Sequence, residues 1–467
     1  MKKTKIVATI SDLNCEVDFI RSLFEAGMNV VRLNTAHQSP EETLTIVKNV
    51  RAVSNKIALL LDTKGPEIRT TDIKQPIAVE KHQEVRIYNA DSKKEGDSAF
   101  NVSYNHFIEE MDVGKIILVD DGYLELHVTK KYKDYLVCKA SHQGVIKNKK
   151  SINVPESAFN LPSLSEKDRL YVQFAIEHDI DFIAHSFVRN KRDLMDIQEI
   201  IDANNSNVKI IAKIENQQGV DNIDEILDIA YGIMVARGDL AIEIPFERIP
   251  SVQNFLIKKG ISRRKPVIIA TQMLHSMIKE PRPTRAEVND IANAVWGKTD
   301  ALMLSGETAF GDFPLESVHT MAKIAYEIES SRKDFHETDL AVVSTDISAF
   351  LSKSAVEASI SLDAKAIICD TTWGRTIRNM AGYRGRKEII AYCYSERTMR
   401  ELTLSFGVLP EYYADSDSKH DFVKPALKKL LQKEKILPGD RVVVVGGNFG
   451  AHHGASYMEI SSVKNLT

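Results

Sequence analysis

Cysteine is scarce in this chain of 467 residues. There are four, Cys15, Cys138, Cys369 and Cys393, and no two have the short spacing of a zinc or redox motif. A disulfide framework is therefore not expected, and reduced thiols in a cytoplasmic protein are. No apolar run reaches membrane-spanning length, and the opening MKKTKIVATI passes into SDLNCE before a signal-peptide core can form. Neither sign of charge dominates: 61 Lys and Arg stand against 65 Asp and Glu, a formal net charge of −4. That balance speaks against nucleic acid as the main partner. It leaves room for small anionic ligands, because a local basic cluster need not show in the total.

What is present is the composition of a soluble globular protein, 43% hydrophobic and 27% charged, long enough for two or three domains. Eight apolar runs recur in a strand–turn–helix grammar: KIVATI, MNVVRLN, IALLLDTKG, IDFIAHSFV, VKIIAKIEN, YGIMVARGDL, PVIIATQML and DALMLSG. Eight parallel βα units predict a TIM barrel, built from residues 1–69 and 162–335. Ser39 to Glu42 and Thr284 to Glu287 both have the form of a helix capping box. The third run has no helix directly after it. Instead, residues 70–161 alternate as short strands and turns, which predicts an inserted all-β lid domain between proline-bearing linkers, TKGPEIRT and NLPSL. Residues 340–467 return to an α/β pattern and form a third domain, a candidate for regulation or oligomerisation.

In such a barrel, functional groups sit at the carboxyl ends of the strands. Those ends are polar here: Arg32 and Asn34, Asp62 and Lys64, Lys213 and Glu215, Gly238 and Asp239, Thr271, then Ser305 and Glu307. Glu215 and Asp239 are hard oxygen ligands suited to Mg²⁺. Arg32 and Lys213 can clamp a phosphoryl group. Gly238 lets backbone N–H groups approach a carboxylate. Together they suit a small acid bearing both carboxylate and phosphate. Each member has a plainer reading: Lys213–Glu215 as an ion pair, Arg237 as partner of a neighbouring acid, Thr271 as a satisfied hydroxyl, Asp120 and Asp121 as turn residues. The set of them at one mouth is harder to explain that way.

At these residues the chain resembles the pyruvate kinase family. VRLN, DTKGPEIRT, KIEN, GIMVARGDL, ATQML, PRPTRAE and LSGETA stand in that family's order, and NVPESAFNLPSLSEKD resembles its return from the inserted domain. The resemblance implies phosphoryl transfer from phosphoenolpyruvate to ADP, giving pyruvate and ATP. It implies substrate contacts at Arg32, Lys213, Gly238, Asp239 and Thr271, with Arg32, Lys213 and Thr271 catalytic. Mg²⁺ would lie on Glu215 and Asp239, K⁺ on Asn34, Asp62 and Thr63, and the nucleotide on Arg69 and Lys150. Ser305 and Glu307 would support a proton relay with Thr271. A cytoplasmic homotetramer is the implied assembly.

Glu67 has the form associated with potassium dependence, whereas Ala36 stands where a serine is usual and removes one K⁺ ligand. His185 and His275 also depart from the commoner residues and are expected to repack locally. In the C-terminal domain TTWGRT replaces a phosphate-binding TKSGR-like loop. Arg375 and Thr376, with His452 and His453, are the remaining candidates there for an effector. Two rivals are a lyase or aldolase acting on a pyruvate enolate, and a non-catalytic binding protein on the same fold. ADP-dependent turnover separates the first, and the presence of Lys213, Glu215, Asp239 and Thr271 weighs against the second.

Overall fold

Eight short strands, nearly every residue of them buried, close into a parallel barrel: Lys5–Ile10, Val30–Asn34, Ala58–Asp62, Phe182–His185, Lys209–Ile214, Gly232–Ala236, Val267–Ala270 and Ala301–Leu304. The computed structural model describes all residues except 1, 93–95, 156, 158, 332–345, 415–421 and 448–453. These are the eight apolar runs of the sequence, in order. The ring closes where the first strand pairs with the last, Lys5 opposite Ala301. Period-two alternation divides the strands between two layers. Val7, Leu60, Phe182, Ile211, Met234 and Ile268 fill the interior. Ile6, Leu33, Leu59, Ile183, Ile210 and Ile269 pack outward against the helices.

The helices begin where their caps dictate. Ser39 and Thr284 each accept from the backbone N–H three residues on, and Glu42 and Glu287 complete the reciprocal bond. A third box, Ser165 with Asp168, opens Glu166–Glu177 and carries the chain back into the barrel. The boundary expected between 335 and 340 lies outside the described residues.

After Asp62 the chain leaves the barrel and builds a seven-stranded sheet and a two-stranded one before it returns. Their own core, including Val85, Phe100, Ile117, Leu126 and Leu136, is separate from that of the barrel. The two connecting segments run antiparallel, joined by Thr70 N–H to Lys150 O and Ile152 N–H to Ile68 O, both 2.8 Å. One pair within the large sheet is parallel, Glu84–Tyr88 with Ala99–Val102.

The C-terminal sheet has five strands. Three, Ala366–Thr371, Glu388–Cys393 and Arg441–Gly446, are the apolar runs of the sequence. The edge strands, Val408–Tyr412 and the antiparallel Tyr457–Ser462, are additions that the sequence pattern does not announce. This region meets the amino-terminal foot of the barrel. Leu404 joins the barrel's interior cluster. Arg384 forms a two-pronged pair with Asp300 at 2.7 and 2.5 Å, both side chains buried. The Lys5 ammonium reaches Val408 O at 2.5 Å. No helix among the described residues is long and apolar enough to cross a membrane.

Candidate active site

The charged strand ends gather at one mouth, and Lys213 is at their centre. Its ammonium donates to Ser186 Oγ at 2.7 Å and lies 3.1 Å from Asp62 and 3.0 Å from Glu215. Burial opposes its charge, but Asp62 and Glu215 outweigh burial and raise its pKa above the ordinary lysine value. Asp62 is bound from the other side by Arg32 Nε at 2.7 Å, and Arg32 also donates to Thr9 Oγ1 at 3.0 Å. Burial works against the Asp62 carboxylate as well, yet Lys213 and Arg32 hold its pKa below the usual range. The lone Lys–Glu pair of the sequence reading is thus a four-residue chain, Arg32–Asp62–Lys213–Glu215.

Glu215 is fully buried. One oxygen accepts the Phe187 N–H at 2.7 Å. The other, Oε1, has no hydrogen-bond partner, although it lies beside Lys213. Burial, helped by Asp239, pushes its pKa up to about 7 against the pull of Lys213. A buried carboxylate oxygen without a partner is costly unless something occupies it. Asp239 stands in the first turn of the short helix Arg237–Glu243 and contributes to the local negative field. Two carboxylates, one with a buried oxygen that is ion-paired to Lys213 but accepts no hydrogen bond, fit a hard divalent cation that keeps other positions for substrate and water. Among the described residues, no group of three or more His, Cys, Asp or Glu side chains is gathered as a complete metal cage.

Thr271 follows the seventh strand with φ of 69°, and Gln272 follows at 54°. A β-branched residue in that region is strained. Several groups hold it there. The Gly238 N–H donates to Thr271 Oγ1 at 2.7 Å, and the Arg237 guanidinium donates to Thr271 O at 2.7 Å. Arg237 is itself anchored to Asp290 at 2.6 Å, the acid partner expected of it. With one lone pair of Thr271 Oγ1 taken by Gly238, its own hydrogen is left to point elsewhere. Glu307 accepts N–H groups of both Leu274 (3.1 Å) and Ser305 (2.7 Å), so it ties the seventh and eighth strand ends together.

The cation candidates lie alongside. Asn34 Oδ1 accepts the Ala36 N–H at 3.3 Å, and the Thr63 carbonyl accepts Ser186 Oγ at 2.6 Å. Arg69 and Lys150 lie on the two antiparallel connections. Arg69 pairs with Glu67 at 2.6 Å and reaches Lys149 O, while Lys150 pairs with Asp120 at 2.9 Å. Both aspartates of VDDGYL have positive φ, as turn residues should, and Asp120 in addition holds Lys150.

Ser186 is the residue that sequence reasoning missed: it touches Lys213, Asp62 and Thr63 together. Its only signal was a hydroxyl one place past a strand. In the C-terminal region, Arg375 pairs with Asp346 at 2.5 Å and Thr376 shares a 3.1 Å hydroxyl contact with Ser348. His452 and His453 lie outside the described residues.

Comparison with known proteins adds two family matches. A model described as "Pyruvate kinase, barrel domain" matches residues 1–318, and "Pyruvate kinase, alpha/beta domain" matches residues 350–461. Among curated relatives, the chain is 46% identical to a pyruvate kinase of Borreliella burgdorferi, over 99% of this chain and 98% of that protein. It is 42% identical to one of Bacillus licheniformis, over 100% of this chain and 81% of the other. Identity to one of Staphylococcus haemolyticus is also 42%, over 96% and 78%.

Proposed function

Since the chain belongs to the pyruvate kinase family, we propose that it transfers the phosphoryl group of phosphoenolpyruvate to ADP, yielding pyruvate and ATP. The observation that carries this reading is Lys213, charged and held between Asp62 and Glu215 at the mouth where Arg32, Asp239 and Thr271 also stand. Phosphoryl transfer is catalysed mainly by positioning and by charge placed in advance. Arg32 and Lys213 provide that positive charge, and their shared anchor on Asp62 removes the cost of arranging it during reaction. The opening of Arg237–Glu243 at Gly238 and Asp239 receives the substrate carboxylate: the missing side chain of Gly238 lets it approach the Asp239 N–H, while the Gly238 N–H stays on Thr271 Oγ1.

Glu215 and Asp239 would hold Mg²⁺, whose contribution when bound is to neutralise charge on the phosphoryl oxygens. Asn34, Asp62 and Thr63 would hold K⁺, with the position of Ala36 left to water. Transfer leaves the enolate of pyruvate, which must gain a proton at carbon. Thr271 is turned for that task by its bond from Gly238, and Ser305 stands at the adjacent strand end, which Glu307 braces. Arg69 and Lys150 reach the nucleotide from the connections of the inserted sheet, with Glu67 and Asp120 orienting them. A cytoplasmic homotetramer completes the reading.

The deciding assay is pyruvate formation from phosphoenolpyruvate and ADP with Mg²⁺, with and without potassium. ADP-dependent turnover is expected, increased by potassium. Turnover without ADP would favour a lyase, and none in folded protein a binding role. Full activity without potassium would remove the Asn34–Asp62–Thr63 assignment alone.

A further inference from the structure

A cavity of about 290 Å³ opens where the inserted sheet joins the barrel, and none of the catalytic residues described above lines it. Its size is at the lower end for small-molecule pockets, ~300–1,000 Å³. Both connections contribute walls, Ile68 on the way out and Val154 and Phe159 on the return, and Phe187 comes from the barrel rim. Apolar side chains supply the larger share of its surface.

Its charges are mostly spoken for. Glu67 is paired with Arg69. Arg189 is consumed by Asp193 and by the carbonyls of Phe159 and Leu161. Glu243 is different. It closes the helix that begins with Arg237, and its hydrogen-bond partner is the Asn153 amide at 3.1 Å. No basic side chain among the described residues pairs with it. Burial pushes its pKa up, and Asp239 adds to this against the bond from Asn153. Asn153 Oδ1, beside it, is a buried acceptor with no partner. The Ser157 hydroxyl and the Gln218 amide also line the cavity, but both are neutral; the Glu243 carboxylate and Asn153 Oδ1 stand side by side as acceptors, and the carboxylate has no cation to balance it.

We infer that this cavity is a binding site for a small organic ammonium ion, with the cationic head on Glu243 and Asn153 Oδ1 and an apolar body between Ile68, Phe159 and Phe187. Glu243 belongs to the barrel and Asn153 to the return strand of the inserted sheet. An occupant therefore bridges the two and favours the angle between them at which both contacts can be made. Because Glu243 and Asp239 share one short helix, the site is mechanically close to the catalytic mouth. The binding itself does not depend on the kinase reading.

Benzylammonium chloride is a suitable probe, with benzyl alcohol as its neutral counterpart, titrated calorimetrically into the full chain in sodium phosphate buffer. Saturable binding of the cation is expected, about tenfold or more weaker in Glu243→Gln and for the alcohol, as loss of a charge-assisted bond implies. Excess potassium should leave it unchanged. Equal affinity in Glu243→Gln, equal affinity of the alcohol, no saturable binding, or displacement by potassium would each overturn the proposal. Should Glu243→Gln fail to fold, Asn153→Leu tests the other acceptor: severalfold weaker binding is expected, and unchanged affinity overturns the site.

Discussion

Lys213 keeps its charge in a buried place only because two carboxylates flank it, so its removal should be read as loss of charge and not of packing. Lys213→Met is expected to reduce turnover by roughly 10²–10³-fold or more, the scale for one preorganised electrostatic donor. Substrate and metal binding should persist in part, as measured by equilibrium titration. Near-normal turnover would refute the role. Ser186→Ala tests the residue that the sequence did not reveal. Losing its bond to the Lys213 ammonium should lower kcat about ten- to a hundredfold, since hydrogen bonds to charged groups contribute ~1.5–3 kcal/mol.

His185 gives a separate test in pH. It is fully buried, neither ring nitrogen has a hydrogen-bond partner, and burial pushes its pKa down to about 4 from an ordinary 6.5. The unfolded chain therefore binds the proton more readily than the folded one. Taken alone, His185 lowers stability as pH drops from 6.5 toward 4, by roughly 3 kcal/mol in all, while the raised carboxyls of Glu215 and Asp370 act in the opposite direction over the same window. His185→Leu should therefore raise the melting temperature relative to the unsubstituted protein by a margin that widens as pH falls across that window, and leave it unchanged or higher at pH 7. A margin that stays constant from pH 6.5 to 4 would refute the assignment.

At the scale of elements, legibility follows how local the cause is. A capping box is written within four residues, so Ser39 and Thr284 could be found from sequence and are found in place. Thr284→Ala should cost about 1 kcal/mol in chemical denaturation, and Glu287 would keep its bonds to Ser276. The barrel strands were equally plain, because burial on both faces makes each an apolar run. The strand ends of the site came with them, since position past a strand is itself the signal. Ser186 did not, because a hydroxyl there looks like any other. Val408–Tyr412 was hidden by Pro410, which an edge strand tolerates and a central one does not. Tyr457–Ser462 is largely exposed and shows no apolar alternation. The parallel pair inside the inserted sheet depends on contacts that no local pattern encodes.

For the whole molecule, the foot of the barrel matters as much as its mouth. Arg384 and Asp300 are both buried there, and Asp300 also accepts the N–H groups of Val267 and Phe406. Arg384→Met would leave that carboxylate unpaired and should cost about 3–5 kcal/mol, seen as an earlier unfolding transition and faster proteolysis of the C-terminal region. Unchanged stability would show that the pair does not bind the two regions together.

The closure of the barrel by Lys5 against Ala301 also has a consequence in time. A ribosome adding ~5–20 residues per second needs roughly 15–60 s to deliver the eighth strand after the first has emerged. Throughout that interval the first strand has one edge without its native neighbour. The inserted sheet, complete by Asn153 with its own core, can finish folding long before. The newborn chain therefore carries a folded passenger on an open half-barrel, and its period of greatest exposure to aggregation is the wait for Ala301.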